Sequence, residues 1–130
     1  MSRTVLLIED NEQNRYLASF LLERSGYRVV AEADGPHGIK TARTLKPDIV
    51  LLDIQLPTMD GYSVARSLRE IASLRDTPII AVTSYAMAGD REKSIAAGCS
   101  GYIEKPIDPD TFIAEIESIF ASVAAPGQRP

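Results

Sequence analysis

The sequence predicts an α/β domain built on a doubly wound, five-stranded parallel sheet. Three observations carry this. Short apolar runs alternate with amphipathic segments five times, the central runs are continuously apolar, and capping or turn residues separate the elements. Alternating β and α elements form a parallel sheet covered on both faces through right-handed crossovers. Strands so covered read as unbroken Val, Ile and Leu.

The elements follow in order. The strands are Val5 to Ile8, Arg28 to Ala31, Ile49 to Leu52, Ile79 to Val82 and the weaker Gly101 to Ile103. Between them lie helices at Gln13 to Arg24, Pro36 to Leu45, Tyr62 to Ala72 and Asp90 to Ala97, and Asp108 to Val123 closes the series. Gly26 and Gly98 stand just past helix ends, Pro36 and Pro109 in first turns, and Asp90 and Asp108 at N-cap positions. In the last helix Phe112, Ile116 and Phe120 repeat at i, i+4 and i+8, with Ile113 and Ile119 beside them, a stripe that must be buried. The whole reads as one domain over residues 1–123, with 124–130 as a flexible tail.

Composition excludes several classes. The 130 residues suffice for one core. A net charge of -4 and no basic run argue against nucleic acid as a ligand. No apolar run approaches the roughly 20 residues needed to span a bilayer, so no membrane partner is expected. The single cysteine, Cys99, has no intramolecular partner, and "MSRTVLLIED" meets an acid before a signal sequence could develop. The expected compartment is the cytoplasm.

In a sheet of this kind ligands bind outside the carboxyl ends of the strands. Glu9 and Asp10 follow the first strand, Asp53 the third, Thr83 and Ser84 the fourth, and Lys105 and Pro106 the fifth. Asp10 or Asn11 could serve only to cap the next helix, and Thr83 could be an ordinary strand-end hydroxyl. Three carboxylates converging on one edge repel one another, however, and call for a cation. An oxygen-only set without clustered His or Cys suits Mg²⁺. A carboxylate beside such an ion can attack phosphorus to give an acyl phosphate. Asp53 is then the nucleophile, Glu9 and Asp10 hold the metal, Lys105 neutralises the phosphoryl oxygens and Thr83 senses the new group.

With these residues in view, the chain resembles the receiver domains of two-component response regulators, from Val5 to about Ala121. "LLIEDN" matches the acidic pair, "VLLDIQLPTMDG" the phosphoacceptor strand and loop, "IIAVTSYAMAGD" the switch-hydroxyl segment and "GYIEKPI" the lysine-proline segment. No motif residue is missing. The resemblance implies the flavodoxin-like (βα)5 receiver fold with strand order 2-1-3-4-5, for which a receiver is itself a standard example. It also implies the backbone carbonyl of Gln55 as a further metal ligand, Tyr102 as the switch aromatic and a cis Lys105-Pro106 bond. It implies a bacterial switch rather than a turnover enzyme, one that catalyses its own aspartyl phosphorylation and dephosphorylation. The donor would be a sensor histidine kinase or a histidine phosphotransfer protein. Output would pass to a downstream protein through the fourth helix, fifth strand and fifth helix. The wording of "DIQLP" and "AVTSYAMAGD" is similar to stand-alone regulators of the DivK type and to receivers of hybrid kinases.

Rival readings are weaker. A haloacid dehalogenase phosphatase needs a second Asp two residues past its nucleophile, where this chain has Gln55. A nucleotide binder needs a Gly- or hydroxyl-rich loop after the first strand, and "EDNEQN" is neither. A phosphorylation-independent adaptor would lack some of the acceptor residues, and none is lacking. His37 reads as a solvated first-turn residue, Cys99 as a small buried filler, and Met59 and Met87 as loop or core packing. Gln55 could orient a hydrolytic water, and Tyr85, two residues past Thr83, is expected to crowd the approach to phosphorus.

Overall fold

The computed structural model describes residues 2–84 and 88–124. Along them run β1 (Thr4–Ile8), α1 (Glu12–Arg24), β2 (Arg28–Glu32), α2 (Gly35–Leu45), β3 (Ile49–Asp53), α3 (Gly61–Arg69), β4 (Ile79–Thr83), α4 (Ala88–Ala96), β5 (Gly101–Glu104) and α5 (Phe112–Ala124). All strand pairs are parallel and the order is β2-β1-β3-β4-β5. The doubly wound sheet expected from the sequence is therefore present, with β3 and β4 buried along their whole length.

Alternation along each strand divides the core in two. Val5, Leu7, Ile49, Leu51, Ile80 and Val82 face α1 and α5, where they pack on Leu21, Leu22, Phe112 and Ile116. Leu6, Ile8, Val50, Leu52, Ile79 and Ala81 face the opposite layer and pack on Ala42 of α2, Val64, Ala65 and Leu68 of α3, and Ala97 just past α4. Phe112 and Ile116 are fully buried, as the α5 stripe requires; each contributes about 1.5 to 3 kcal/mol. Cys99 is buried, and desolvation pushes its thiol up to about 11, as befits an apolar filler. Met59 packs against the same core, and Met87 lies outside the described residues.

Helix ends explain where the expected boundaries shift. Gly26 and Gly98 both have positive φ, 96° and 106°. Each closes its helix with paired bonds: Gly26 N–H to Glu23 O with Tyr27 N–H to Leu22 O, and Gly98 N–H to Ile95 O with Cys99 N–H to Ser94 O. α3, expected to reach Ala72, stops at Arg69 and is followed by a 3₁₀ turn over Ala72–Leu74. The break lets Leu74 turn into the core, where it is fully buried. Arg69 secures the turn by donating to the carbonyls of Leu74, Thr77 and Gly98 at 2.8, 2.6 and 2.8 Å. α4 begins at Ala88, so Asp90 is a first-turn residue and not the N-cap. α5 begins at Phe112, a turn later than expected. Asp108 still serves the preceding turn, its carboxylate accepting from Asp110 N–H and its carbonyl from Phe112 N–H. Of the expected tail, residues 125–130 lie outside the described residues.

Candidate functional site

The strand order reverses between β1 and β3, and there the acidic residues meet. Ile8 is in register with Leu52, so Glu9, one step past β1, lies beside Asp53 at the end of β3. Carboxylate oxygens of Glu9, Asp10 and Asp53 all lie within 4.8 Å of one another. Asp53 and Glu9 are only 2 % and 3 % exposed, whereas Asp10 faces solvent. Lys105, delivered by β5, places its Nζ 3.1 Å from Asp53 Oδ1 and 3.3 Å from Glu9 Oε1. A shallow cavity of about 260 Å³, lined by Asn14, Ser84, Lys105, Pro106 and Ile107, opens beside that ammonium.

One ammonium among three carboxylates leaves the site short of positive charge. Glu9 registers this: burial first, and then the neighbouring Asp53, push its carboxyl up to about 7. Asp10 is raised for the same reasons in the same order. A divalent cation would remove the conflict, and the donors suit one. They are oxygens only, two of them almost wholly withdrawn from water, and no histidine or cysteine joins the cluster.

Local structure holds these groups in place. Asn11, not Asp10, caps α1, its side chain accepting from Asn14 N–H at 2.9 Å. That leaves the Asp10 carboxylate to the acidic cluster. Asn11 also donates its own N–H to Glu9 Oε2 at 3.1 Å. Arg15 on α1 grips the backbone of the pair, Nη1 donating to the carbonyls of Glu9 and Asp10 at 2.9 and 3.3 Å. In "LPTMDG" the acid is a helix cap: Asp60 accepts from Ser63 N–H at 3.0 Å. Gly61 brings α3 against the end of β3, donating its N–H to Ile54 O at 3.0 Å. A Cβ there would collide with Ile54 Cα and lie 2.7 Å from the Asp53 carbonyl oxygen, so this approach requires glycine.

Thr83 is buried at the end of β4, one step beyond Val82, the register partner of Asp53. Its carbonyl accepts from Lys105 N–H at 2.8 Å, and the Lys105-Pro106 bond is cis. Gln55 donates its backbone N–H to Asp53 Oδ1 at 2.9 Å. Its side-chain oxygen accepts from Ser84 N–H at 3.1 Å. Tyr102 stands apart from the carboxylates, half-buried on β5, where α4 meets it. Arg91 donates to its hydroxyl at 2.6 Å and lies 4.9 Å above its ring. Tyr85 lies outside the described residues. His37 stays at the surface, paired at 2.7 Å with Asp34, the cap of α2. Reading the residues in order missed Arg15, Arg91 and the bond from Ser84 to the Gln55 side chain, because each joins partners that only the fold brings near.

Comparison with known proteins agrees with this geometry. Residues 5–117 match the family model for the response regulator receiver domain. The polar-differentiation response regulators DivK of Brucella anthropi and Brucella ovis are each 42 % identical over 118 residues, covering 91 % of this chain and 96 % of theirs. Among solved structures, the chemotaxis response regulator CheY4 of Vibrio cholerae superposes with a TM-score of 0.88 at 25 % identity, covering 92 % of this chain and 99 % of that one. The receiver domain of the sensor histidine kinase PA1611 from Pseudomonas aeruginosa has a TM-score of 0.81 at 37 % identity, covering 93 % and 96 %. That structure carries a magnesium ion coordinated in its active site cleft. With an acidic cluster at the switch point of a β2-β1-β3-β4-β5 sheet and these matches over most of its length, the chain belongs to the family of response regulator receiver domains, the signalling switches of two-component systems.

Proposed function

We propose that Asp53 accepts a phosphoryl group in a Mg²⁺-dependent reaction and that the chain is switched by it. The observation that carries this reading is the buried Asp53 carboxylate, set within 4.8 Å of two further carboxylates and 3.1 Å from the Lys105 ammonium. Glu9, Asp10, Asp53 and the Gln55 carbonyl are the residues that would hold Mg²⁺. When bound, the ion neutralises charge on the transferred group. An Asp53 oxygen forms the new bond to phosphorus as the bond from phosphorus to the donor's leaving group breaks. Lys105 compensates the equatorial oxygens, and the Thr83 hydroxyl donates to one of them. Water later cleaves the acyl phosphate and regenerates the carboxylate, a reaction the same residues serve.

The donor is a sensor histidine kinase or a histidine phosphotransfer protein, reaching the site from the open side near Asn14 and Lys105. Output goes to a downstream protein through the face formed by α4, β5 and α5. Tyr102, held there by Arg91, reports the state of Thr83. The functional unit is residues 1–123, and we place it in the cytoplasm, in keeping with one buried thiol and no disulfide partner. The test is intact-protein mass measurement after incubation with acetyl phosphate and Mg²⁺. One phosphoryl adduct is expected on the wild type and none on Asp53→Asn; a wild type that takes no adduct at saturating donor and metal overturns the reading.

A further inference from the structure

The β3–β4 ladder runs out at the site. Its last backbone bond joins Ile54 N–H to Val82 O at 3.2 Å. Thr83 is still tied into the sheet on its other side, its carbonyl accepting from Lys105. Ser84 is the first residue past the strand, and its backbone N–H is taken not by backbone but by the Gln55 side chain. Because the donor is a peptide N–H, the carboxamide must present its oxygen, which settles its orientation. Gln55 thus spans two loops. Its own N–H holds Asp53 Oδ1 at 2.9 Å while its side chain holds Ser84 at 3.1 Å.

We infer that Gln55 is a positioning residue that braces the start of the β4–α4 connection against the acceptor loop in the unphosphorylated chain. The inference rests on Asp53 being the phosphoacceptor. A phosphoryl group there carries about 1.5 to 2 negative charges in place of the carboxylate's one, together with three strong acceptor oxygens. Hydrogen bonds to a charged acceptor are about twice as strong as those to a neutral amide. The Gln55–Ser84 bond, neutral on both sides, is the weaker competitor for any donor the new group attracts. Phosphorylation loosens the brace, and the strength of the brace sets how far the unphosphorylated chain resists switching.

The test uses the full chain, ¹⁵N-labelled, as wild type, Gln55→Met and Gln55→Glu. Methionine keeps the length and removes the acceptor, whereas glutamate keeps an acceptor. In the absence of donor and metal, Ser84 amide exchange should rise about 2- to 10-fold in Gln55→Met, the range for one neutral hydrogen bond. In Gln55→Glu it should stay at or below the wild-type rate. Apparent affinity for beryllofluoride in Mg²⁺ should rise by the same factor in Gln55→Met, since a larger competent fraction lowers the apparent Kd in proportion. Unchanged Ser84 exchange in Gln55→Met refutes the brace. Faster exchange with unchanged or weaker beryllofluoride binding refutes its coupling to the switch. A wild type that binds no beryllofluoride overturns the phosphoacceptor reading and the coupling with it, while Ser84 exchange still decides the brace.

Discussion

Neutralising Glu9 should make the metal-free protein more stable at alkaline pH. Its carboxyl rises from 4.5 to about 7 on folding, chiefly through burial and then through Asp53. At about 1.4 kcal/mol for each tenfold change in proton affinity, the rise corresponds to about 3 kcal/mol. The sign follows from the direction. The folded chain binds this proton more tightly than the unfolded one, so the contribution is complete below pH 4.5 and is lost as pH climbs through 7. Glu9→Gln carries no charge to penalise and can still accept the Asn11 N–H that now reaches Glu9 Oε2 at 3.1 Å. Urea unfolding in EDTA across pH 4.5 to 8 measures the effect as a difference between the two pH profiles. Wild type should fall relative to Glu9→Gln by up to about 3 kcal/mol, or on the order of 10 °C in Tm for a chain of this size. Saturating Mg²⁺ at pH 8 should restore the wild type more than the variant, because binding to the folded state alone stabilises it by mass action. Parallel profiles for the two proteins would refute the reasoning.

Three further outcomes are expected. Thr83→Ala should still accept a phosphoryl group on Asp53, yet amide shifts at Ala88 to Ala96 and at Tyr102 on adding beryllofluoride and Mg²⁺ should shrink; shifts as large as those of wild type would remove the hydroxyl from the switch. Gly61→Ala presses a methyl onto the backbone of Ile54 and Asp53, and should cost about 1 to 3 kcal/mol in urea unfolding, with no loss showing that the loop yields freely. Arg69→Met strands the carbonyls of Leu74, Thr77 and Gly98; a loss of at least about 3 kcal/mol is expected, since hydrogen bonds from a charged donor are worth about 1.5 to 3 kcal/mol each, and a loss below about 1 kcal/mol would show that water replaces the guanidinium.

Strands were legible because continuous apolar runs have few alternative homes, and each run was found within a residue or so of its place. Ends were less legible. The strands holding Asp53 and Thr83 run one residue further than their apolar cores, since backbone pairing does not stop where hydrophobicity does. α3 stops short of its apolar pattern because burying Leu74 outweighs another half-turn of helix, a competition invisible without the core it fills. Asp90 resembles a cap in sequence, but α4 had already begun at Ala88.

For the site, the order of residue types is legible in the chain: acids follow two strands, a hydroxyl the next and a lysine the last, which places them along one edge of a parallel sheet. The sequence likewise determines the alternation that sends Leu6 and Leu7 to opposite layers. What tertiary structure alone decides is distance. Inserting β1 between β2 and β3 sets Glu9 beside Asp53, 44 positions away in the chain, and crossing from β4 to β5 carries the Lys105 ammonium to 3.1 Å from Asp53 Oδ1. The grip of Arg15, the pin of Arg91 on Tyr102 and the reach of Gln55 to Ser84 are of the same kind. Hydrogen bonds and Coulomb forces act over a few ångströms in space, and a linear sequence does not contain those separations.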